Sequence, residues 1–257
     1  MPAGARASER PPSVAFGDTS PARGEVVLEI GFGGGEHLVA QAAAHPQTRF
    51  IGVEPFLNGV ASCLRHIEET YLPLEGGGGR AAAGGGAHAG GDDKAWRGST
   101  GNAGGPHPHS HAARDSTPHE GERARAINIR LHQGDARDVI ARLPDASLDL
   151  CYILFPDPWP KARHHKRRLI QPAFLSGLAR VMKPGAELRF ATDWANYAEW
   201  TLWHVIRDTR FMWRAERAED WRKPWPGHVT TRYEAKKLGD CAPIWLRFVR
   251  ATEESGA

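Results

Sequence analysis

Five short apolar segments alternate with segments of helical pattern, and this alternation restricts the possible folds more than any other feature of the chain. The predicted strands cover residues 25–31, 48–54, 127–133, 148–155 and 186–192. The predicted helices cover residues 35–44, 56–72, 138–143, 169–182 and 194–208. Such alternation is typical of a mainly parallel sheet with helices on both faces. Residues 211–217 and 243–250 add two predicted strands, so we expect an α/β fold with a seven-stranded sheet.

The predicted domain organisation is one domain over residues 24–250 that a long insertion interrupts. The insertion, residues 76–122, has 47 residues with 14 glycines and no Leu, Ile, Val or Phe. It cannot bury enough apolar surface to offset its chain entropy, so we predict a disordered surface segment. His107, His109 and His111 alternate within it, but the surrounding Pro and Gly offer no rigid frame for a metal. We therefore predict no metal site.

The chain ends and the cysteines bear on location. Residues 1–23 show no apolar period and no secretory signal, so we predict a flexible arm, and residues 251–257 are a short tail. Cys63, Cys151 and Cys241 lie far apart in the sequence, which excludes a CxxC metal site and suits a reducing cytosol. No segment approaches the ~20 apolar residues of a membrane helix. We predict a cytoplasmic protein with no membrane contact and no obligate protein partner.

Positive charge is concentrated in one segment, although the formal net charge of the chain is only +3. Seven basic or titratable residues lie close together: Lys161, Arg163, His164, His165, Lys166, Arg167 and Arg168. This density suits a polyanionic partner, because each neutralised phosphate releases counterions. A solvated surface face is the alternative, which a charge run alone favours.

Acidic residues and glycines mark the ends of the first three predicted strands. Glu29 precedes a loop that contains Gly31 and Gly33, and glycines allow a sharp turn and close approach of a ligand. An acid there repels a pyrophosphate and attracts an ammonium group, while Glu54 suits ribose hydroxyls and Asp135 an adenine amino group. Each acid alone is equally consistent with a strand-end turn. Together they favour S-adenosylmethionine, and NAD is the disfavoured alternative because of the acid and the glycine spacing.

The fourth predicted strand ends in a stiff loop, Leu154-Phe155-Pro156-Asp157-Pro158-Trp159-Pro160-Lys161. Two prolines hold Asp157 just beyond the strand end, where we expect a cofactor's methyl group to project. Trp159 either packs against a planar base or anchors the loop. The basic segment begins at Lys161, so a methyl donor and a polyanion would be neighbours, which favours an RNA-contact surface.

Four sequence segments resemble those of bacterial tRNA (guanine-N7-)-methyltransferases. They are EIGFGGGEH, FPDPWPKARHHKRRL, TDWANYAEW and TRYEAKKLG, and the resemblance covers roughly residues 25–75 and 123–250. It implies a Rossmann-like class I methyltransferase fold and methyl transfer from S-adenosylmethionine to N7 of a variable-loop guanosine in tRNA. The chain departs from the family in its short N-terminal arm, in Pro160, which replaces the usual His, and in the insertion.

The resemblance also assigns roles to individual residues. The cofactor positions are Glu29, Glu54, Asp135 and Asp157, to which the loop adds Gly31 and Gly33. The substrate positions are Lys161, Asp193, Thr231, Arg232, Tyr233 and Glu234, and residues 163–168 match the RNA-interaction stretch. Asp157 is the candidate catalytic residue in an orienting and electrostatic sense, with Asp193 second. From the residues alone, a capping turn before a short helix is the favoured interpretation of residues 231–234.

Three other classes of function remain open from the sequence. A methyltransferase acting on protein, DNA or a small molecule shares the cofactor acids, and the basic segment disfavours the small substrate. A non-catalytic RNA-binding protein predicts eroded acids or glycines, which are intact here. An NAD-dependent oxidoreductase has no support beyond the sheet.

Overall fold

Seven strands form one sheet in the computed structural model, which describes residues 24–72 and 127–252. The strands are β1 (Val26–Ile30), β2 (Arg49–Glu54), β3 (Ile129–Gln133), β4 (Leu148–Leu154), β5 (Met182–Thr192), β6 (Phe211–Trp213) and β7 (Ile244–Arg250). Their order is β3-β2-β1-β4-β5-β7-β6; β1 to β5 are parallel, and β7 is antiparallel to both neighbours. The expected seven-stranded, mainly parallel sheet is confirmed. The predicted insertion, the arm and residues 253–257 lie outside the described residues.

Helices connect the strands and cover both faces of the sheet. They are α1 (Glu36–Ala44), α2 (Leu57–Tyr71), α3 (Ala136–Arg142), α4 (Pro172–Val181), α5 (Ala195–Ile206), α6 (Glu219–Arg222), α7 (Arg232–Lys236) and a 3-10 helix (Ala162–Arg167). Helix α4 is shorter than the helix predicted over residues 169–182, because Gln171 has an extended backbone and Pro172 occupies the first turn. Its chain leaves the helix at Met182, which pairs with Leu148.

The core has two layers because strand side chains alternate between the faces of the sheet. Leu28 and Ile153 pack on the layer with α3, α4 and α5, whereas Val27 and Tyr152 pack on the layer with α1 and α2. Glu29 follows Leu28, so its side chain belongs to the α1 layer. The chain order of the sheet reverses between β1 and β4, and ligands of such sheets bind at the carboxyl ends of the strands beside this point.

Candidate active site

A cleft of about 350 Å³ lies at the carboxyl ends of β1 to β4. This volume is within the range of small-molecule sites, roughly 300–1,000 Å³. Five of the six predicted cofactor residues line it: Gly31, Gly33, Glu54, Asp135 and Asp157. The sheet therefore brings together residues that are up to 126 positions apart between Gly31 and Asp157.

The first loop of the cleft requires glycine at two positions, because of both the backbone conformation and the lack of space for a Cβ. Gly33 has a φ of +56°, and a Cβ there would lie 2.8 Å from Cε2 of Tyr233. Gly35 has a φ of +83°, and a Cβ there would lie 2.4 Å from Sγ of Cys63 on α2. Left-handed backbone is costly for other residues. The loop thus turns tightly while α1, α2 and Tyr233 approach it closely.

Glu54 organises this loop through both carboxylate oxygens. Oε2 accepts a hydrogen bond of 2.9 Å from the Gly33 amide, and Oε1 accepts one of 3.0 Å from the Phe56 amide. The residue is only 5% exposed yet lines the cleft. Each carboxylate oxygen keeps a second acceptor site, so the same group can hold the loop and bind a ligand hydroxyl.

Asp135 lies at the N-terminus of α3 and is partly engaged. One oxygen accepts from the Arg137 amide at 2.8 Å, which caps the helix, and the other pairs with the Arg137 guanidinium at 2.8 Å. Its side chain remains about half exposed, at 48%. Asp135 can therefore cap the turn at the strand end and still contact a ligand.

Glu29 is the cofactor candidate that the structure places elsewhere. It is 2% exposed, is not among the residues lining the cleft, and its Oε2 lies 2.8 Å from Nδ1 of His37 on α1. The cause is strand alternation, which turns the side chain toward α1 rather than toward the cleft. Contact between Glu29 and a cofactor stays a prediction.

The loop after β4 has backbone strain beside Asp157. Phe155 and Trp159 have φ values of +49° and +44°, which are unusual for bulky residues and concentrate at functional sites. Asp157 lies between them, is exposed and lines the cleft. The Arg167 guanidinium lies 4.8 Å from the centre of the Trp159 ring, and both residues line the cleft. Trp159 is thus packed against the basic segment and adjoins the ligand space.

The basic segment divides into exposed and buried members. Lys161, Arg163, Lys166 and Arg167 are exposed, whereas His164 and His165 are half-buried. Arg168 is only 1% exposed. Its guanidinium donates to the Pro158 carbonyl and to Oδ1 of Asn196, both at 2.8 Å. In the structure this side chain therefore holds the loop after β4, and contact between Arg168 and RNA stays a prediction.

Arg168→Ala is expected to lower the free energy of unfolding by about 3 kcal/mol, because two acceptors lose a charged donor. The melting temperature should fall by roughly 6–12 °C in a domain of this size. The exposed neighbour provides a matched control, since Arg163→Ala should change stability by less than about 0.5 kcal/mol. Equal thermal unfolding curves for Arg168→Ala and the unmodified protein would contradict this placement.

The predicted substrate residues do not all line one cavity. Tyr233 lines the cleft at the strand ends. Asp193 and Glu234 line a second cavity of about 360 Å³. The Thr231 hydroxyl accepts from the Glu234 amide at 3.2 Å, which confirms a capping turn before α7. Lys161 is exposed beyond the loop after β4.

Arg232 connects α7 with the first loop. Its guanidinium lies 5.4 Å from the centre of the Tyr233 ring, and Nε lies 3.8 Å from Oε1 of Glu36 on α1. Helix α7 therefore packs beside the cleft through Tyr233 and through Arg232, the first residue of the helix.

Sequence reasoning missed several residues at these sites. Phe56 and Arg137 line the cleft, and His228 forms a bond of 2.8 Å with Glu234. Phe56 follows the Glu54 strand end, so its position was available from the strand boundary. His228 lies in a loop with no periodicity, and only the fold brings it to Glu234.

The cysteines are unsuited to nucleophilic chemistry. All three are free thiols. Burial, with smaller effects of Glu29 and Glu36, raises the pKa of Cys63 to about 12. Burial likewise raises the pKa of Cys151, and burial with the charge of Asp240 raises that of Cys241. None of the three thiols is therefore activated as a thiolate nucleophile.

Within the described ranges, residues 24–72 and 127–252, no group of three or more His, Cys, Asp or Glu side chains is arranged to hold a metal. His107, His109 and His111 lie outside these ranges. No described helix has the length and apolar character needed to cross a membrane.

A solved structure with a similar fold identifies the fold class. The chain is similar to a 16S rRNA (adenine(1408)-N(1))-methyltransferase from Catenulisporales acidiphilia, whose crystal structure contains the cosubstrate SAM. The TM-score is 0.52 and the sequence identity 17%, with 91% of this chain and 89% of that chain covered. With its sheet order and strand-end cleft, the chain has the Rossmann-like fold of class I S-adenosylmethionine-dependent methyltransferases.

Sequence comparison then identifies the family. The sequence model of a family described as "Putative methyltransferase" matches residues 23–75 and 111–245. A tRNA (guanine-N(7)-)-methyltransferase from Caulobacter sp. (strain K31) is 48% identical over 91% of this chain and 79% of its own length. One from Hyphomonas neptunium is 44% identical over 86% of this chain and 76% of its own length. The chain belongs to the tRNA (guanine-N(7)-)-methyltransferase family, and the resemblance found in its motifs is confirmed.

Proposed function

We propose that this protein transfers the methyl group of S-adenosylmethionine to N7 of a variable-loop guanosine in tRNA. The observation that carries the proposal is the position of the exposed basic side chains. Arg167 lines the acid-containing cleft and belongs to the same 3-10 helix as Arg163 and Lys166. A small cationic ligand and a polyanion can therefore bind side by side. A cytoplasmic location belongs to the same proposal, since its acceptor is tRNA.

The residues of the cleft fit S-adenosylmethionine by their chemistry. Val53 and Phe56 supply apolar surface for an adenine ring, while Glu54 and Asp135 supply acceptors for hydroxyl and amino hydrogens. When bound, S-adenosylmethionine supplies a methyl group on a positively charged sulfur. The carboxylates of Glu54, Asp135 and Asp157 outnumber the two guanidinium groups that line the cleft, those of Arg137 and Arg167, which favours a ligand of that charge.

The side chains contribute positioning and electrostatics rather than proton transfer. Guanine N7 has a lone pair and no proton, so no general base is needed. Alignment of two reactants can lower a barrier by roughly 7–11 kcal/mol in favourable cases. Positive charge develops on the base as N7 is methylated, and we assign its stabilisation to Asp157, with Asp193 second. Binding energy from the basic segment offsets the cost of unstacking the base.

Methyl transfer to different acceptors tests the proposal. Purified protein is incubated with labelled S-adenosylmethionine and unmodified tRNA, ribosomal RNA or DNA. Label in tRNA alone supports the proposal. Label only in ribosomal RNA or DNA would assign the chain to another nucleic acid, and binding of tRNA without transfer would leave it an RNA-binding protein.

Removing three exposed charges should weaken tRNA binding in a salt-dependent way. The triple substitution Arg163→Ala, Lys166→Ala and Arg167→Ala is expected to flatten the slope of log K against log salt by about 2–3, if each side chain neutralises one phosphate. Filter binding at several salt concentrations measures the slope. The matched control removes three exposed arginines from other elements, Arg65, Arg130 and Arg142. Equal slopes for the two triple variants would indicate that the basic segment is a solvated surface face and does not bind tRNA.

A further inference from the structure

Two buried carboxylate–histidine pairs lie next to each other beside α7. Oε2 of Glu29 is 2.8 Å from Nδ1 of His37, and Oε2 of Glu234 is 2.8 Å from Nε2 of His228. The two imidazole rings are 5.5 Å apart between centroids. Their side chains are almost fully buried, at 0% exposed for His37 and 4% for His228. The first glycine loop and α7 are thus connected through the protein interior.

The hydrogen-bond geometry of His228 indicates which of its ring nitrogens carries the proton. A carboxylate only accepts hydrogen bonds, so the ring nitrogen facing it carries the proton. The other nitrogens, Nε2 of His37 and Nδ1 of His228, are buried without a hydrogen-bond partner among the described residues. Burial lowers the pKa of His228 despite the opposing effect of Glu234, and His37 lowers it further. His228 is therefore a neutral ring that donates through Nε2.

The loop that carries His228 is held by other contacts as well. Gln41 donates to the Gly227 carbonyl at 2.6 Å, and Trp225 is buried against Tyr152 and Trp245. The loop therefore has attachments that do not involve His228. The hydrogen bond from His228 to Glu234 is not needed to fix the loop. Its main effect is to orient the Glu234 carboxylate.

Charged and titratable groups surround His228 from several elements. Glu29 comes from β1, His37 from α1 and Glu234 from α7. The Arg189 guanidinium on β5 lies 5.6 Å from the centre of the Trp225 ring, which packs against His228. His228 therefore lies among aromatic rings and beside two carboxylates. A hydrogen bond is stronger in such a low-dielectric environment, so the bond from His228 favours a single orientation of the Glu234 carboxylate.

We propose that His228 is a positioning residue that orients the Glu234 carboxylate toward the acceptor base. The inference rests on the proposed function. Guanine presents the N1 and N2 hydrogens on the edge away from N7, and a carboxylate accepts both. Glu234 lines the second cavity with Asp193, so an oriented carboxylate there can fix the base by that edge. His228 holds Oε2, and the carboxylate keeps acceptor sites for the base.

Substitutions at His228 separate this role from simple packing. His228→Phe keeps an aromatic ring and removes the donor, and kcat/KM for tRNA is expected to fall about 10- to 100-fold, the effect of one bond to a charged group. The Kd for S-adenosylmethionine should stay within about twofold, because His228 does not line the cofactor cleft. His228→Gln retains a donor nitrogen and should recover most of the activity. Equal losses in the Phe and Gln variants would show a packing role only.

The matched control is His204, a partly buried histidine whose pKa burial also lowers. It packs on Trp200 and Trp203 of α5 rather than on Glu234. His204→Gln should leave kcat/KM for tRNA within about twofold of the unmodified protein. An equal loss in His204→Gln and His228→Phe would overturn the specific role of His228. Thermal unfolding of each variant shows whether a loss arises from unfolding.

A double-mutant cycle shows whether His228 acts through Glu234. If it does, the variant with His228→Phe and Glu234→Gln should be no worse than Glu234→Gln alone. If the losses instead multiply, the two residues act independently and the inference is wrong.

Nitrogen-15 NMR of labelled histidine gives a readout independent of activity. At pH 7, His228, assigned by loss of its signal in His228→Gln, should show a protonated Nε2 and an unprotonated Nδ1. The reverse tautomer or a charged ring would overturn the inference whatever the activity. If the unmodified protein transfers no methyl to tRNA, the proposed function fails while the spectrum still reports the pair. If it transfers methyl and His228→Phe is equally active, the inference alone fails.

Discussion

Asp157→Ala is expected to lower kcat for methyl transfer to tRNA by about two to three orders of magnitude, the effect of losing one well-placed electrostatic group. Asp157 lies at the end of β4 and lines the cleft. Among the described residues, no hydrogen bond engages its carboxylate, so the group is free to act on a ligand. Its flanking prolines and the strained residues Phe155 and Trp159 fix its position.

Two observations separate this role of Asp157 from structural damage. The melting temperature and the Kd for tRNA should change little, because the side chain is exposed and supports no other described group. Asp157→Asn keeps the shape and removes the charge, so a similar loss of kcat would assign the effect to electrostatics. Asp138→Asn, an exposed acid on α3 outside the cleft, is the matched control. Near-normal turnover of Asp157→Ala would refute the assigned role.

Glu54→Ala is expected to weaken binding of S-adenosylmethionine by about 100-fold. The amides of Gly33 and Phe56 both lose their acceptor. The Gly33 amide is buried, and an unsatisfied buried donor costs about 1–3 kcal/mol. The loop must then rearrange before it can bind a ligand, and the ligand also loses a contact. Isothermal titration calorimetry with S-adenosylmethionine measures the change.

Two variants sharpen the Glu54 test. Glu54→Gln should be intermediate, because its amide oxygen satisfies one backbone donor while its NH2 group faces the other. Glu68→Gln, at an exposed acid on α2, should bind the cofactor normally. Cofactor affinity that is unchanged in Glu54→Ala would contradict both the loop-ordering and the binding role.

The sheet was predictable because each central strand is a short apolar run with its own turn signals. The LDLCYILF run, residues 148–155, predicted a strand, and the structure has β4 there, between β1 and β5. Boundaries were less predictable, since they depend on tertiary pairing. Residues 211–217 were predicted as a strand, but only Phe211–Trp213 pair with β7.

The site was predictable only to the level of which strand ends meet. Glu54, Asp135 and Asp157 were expected together because parallel strands bring their carboxyl ends to one edge. Side-chain direction was not predictable: Glu29 turns toward His37, and Arg168 turns inward although Arg167 beside it lines the cleft. Alternation along a strand and the path of a short 3-10 helix decide these directions, and neither is encoded in a motif.

The position of the methylated atom in tRNA distinguishes transfer to guanine N7 from the other reactions. Unmodified tRNA is treated with the protein and S-adenosylmethionine, its nucleosides are separated, and aniline cleavage after borohydride reduction maps 7-methylguanosine along the chain. We expect 7-methylguanosine at one variable-loop position, formed about two to three orders of magnitude more slowly by Asp157→Ala. Methyl transfer to another base, to another guanine atom or to another part of the tRNA would contradict it.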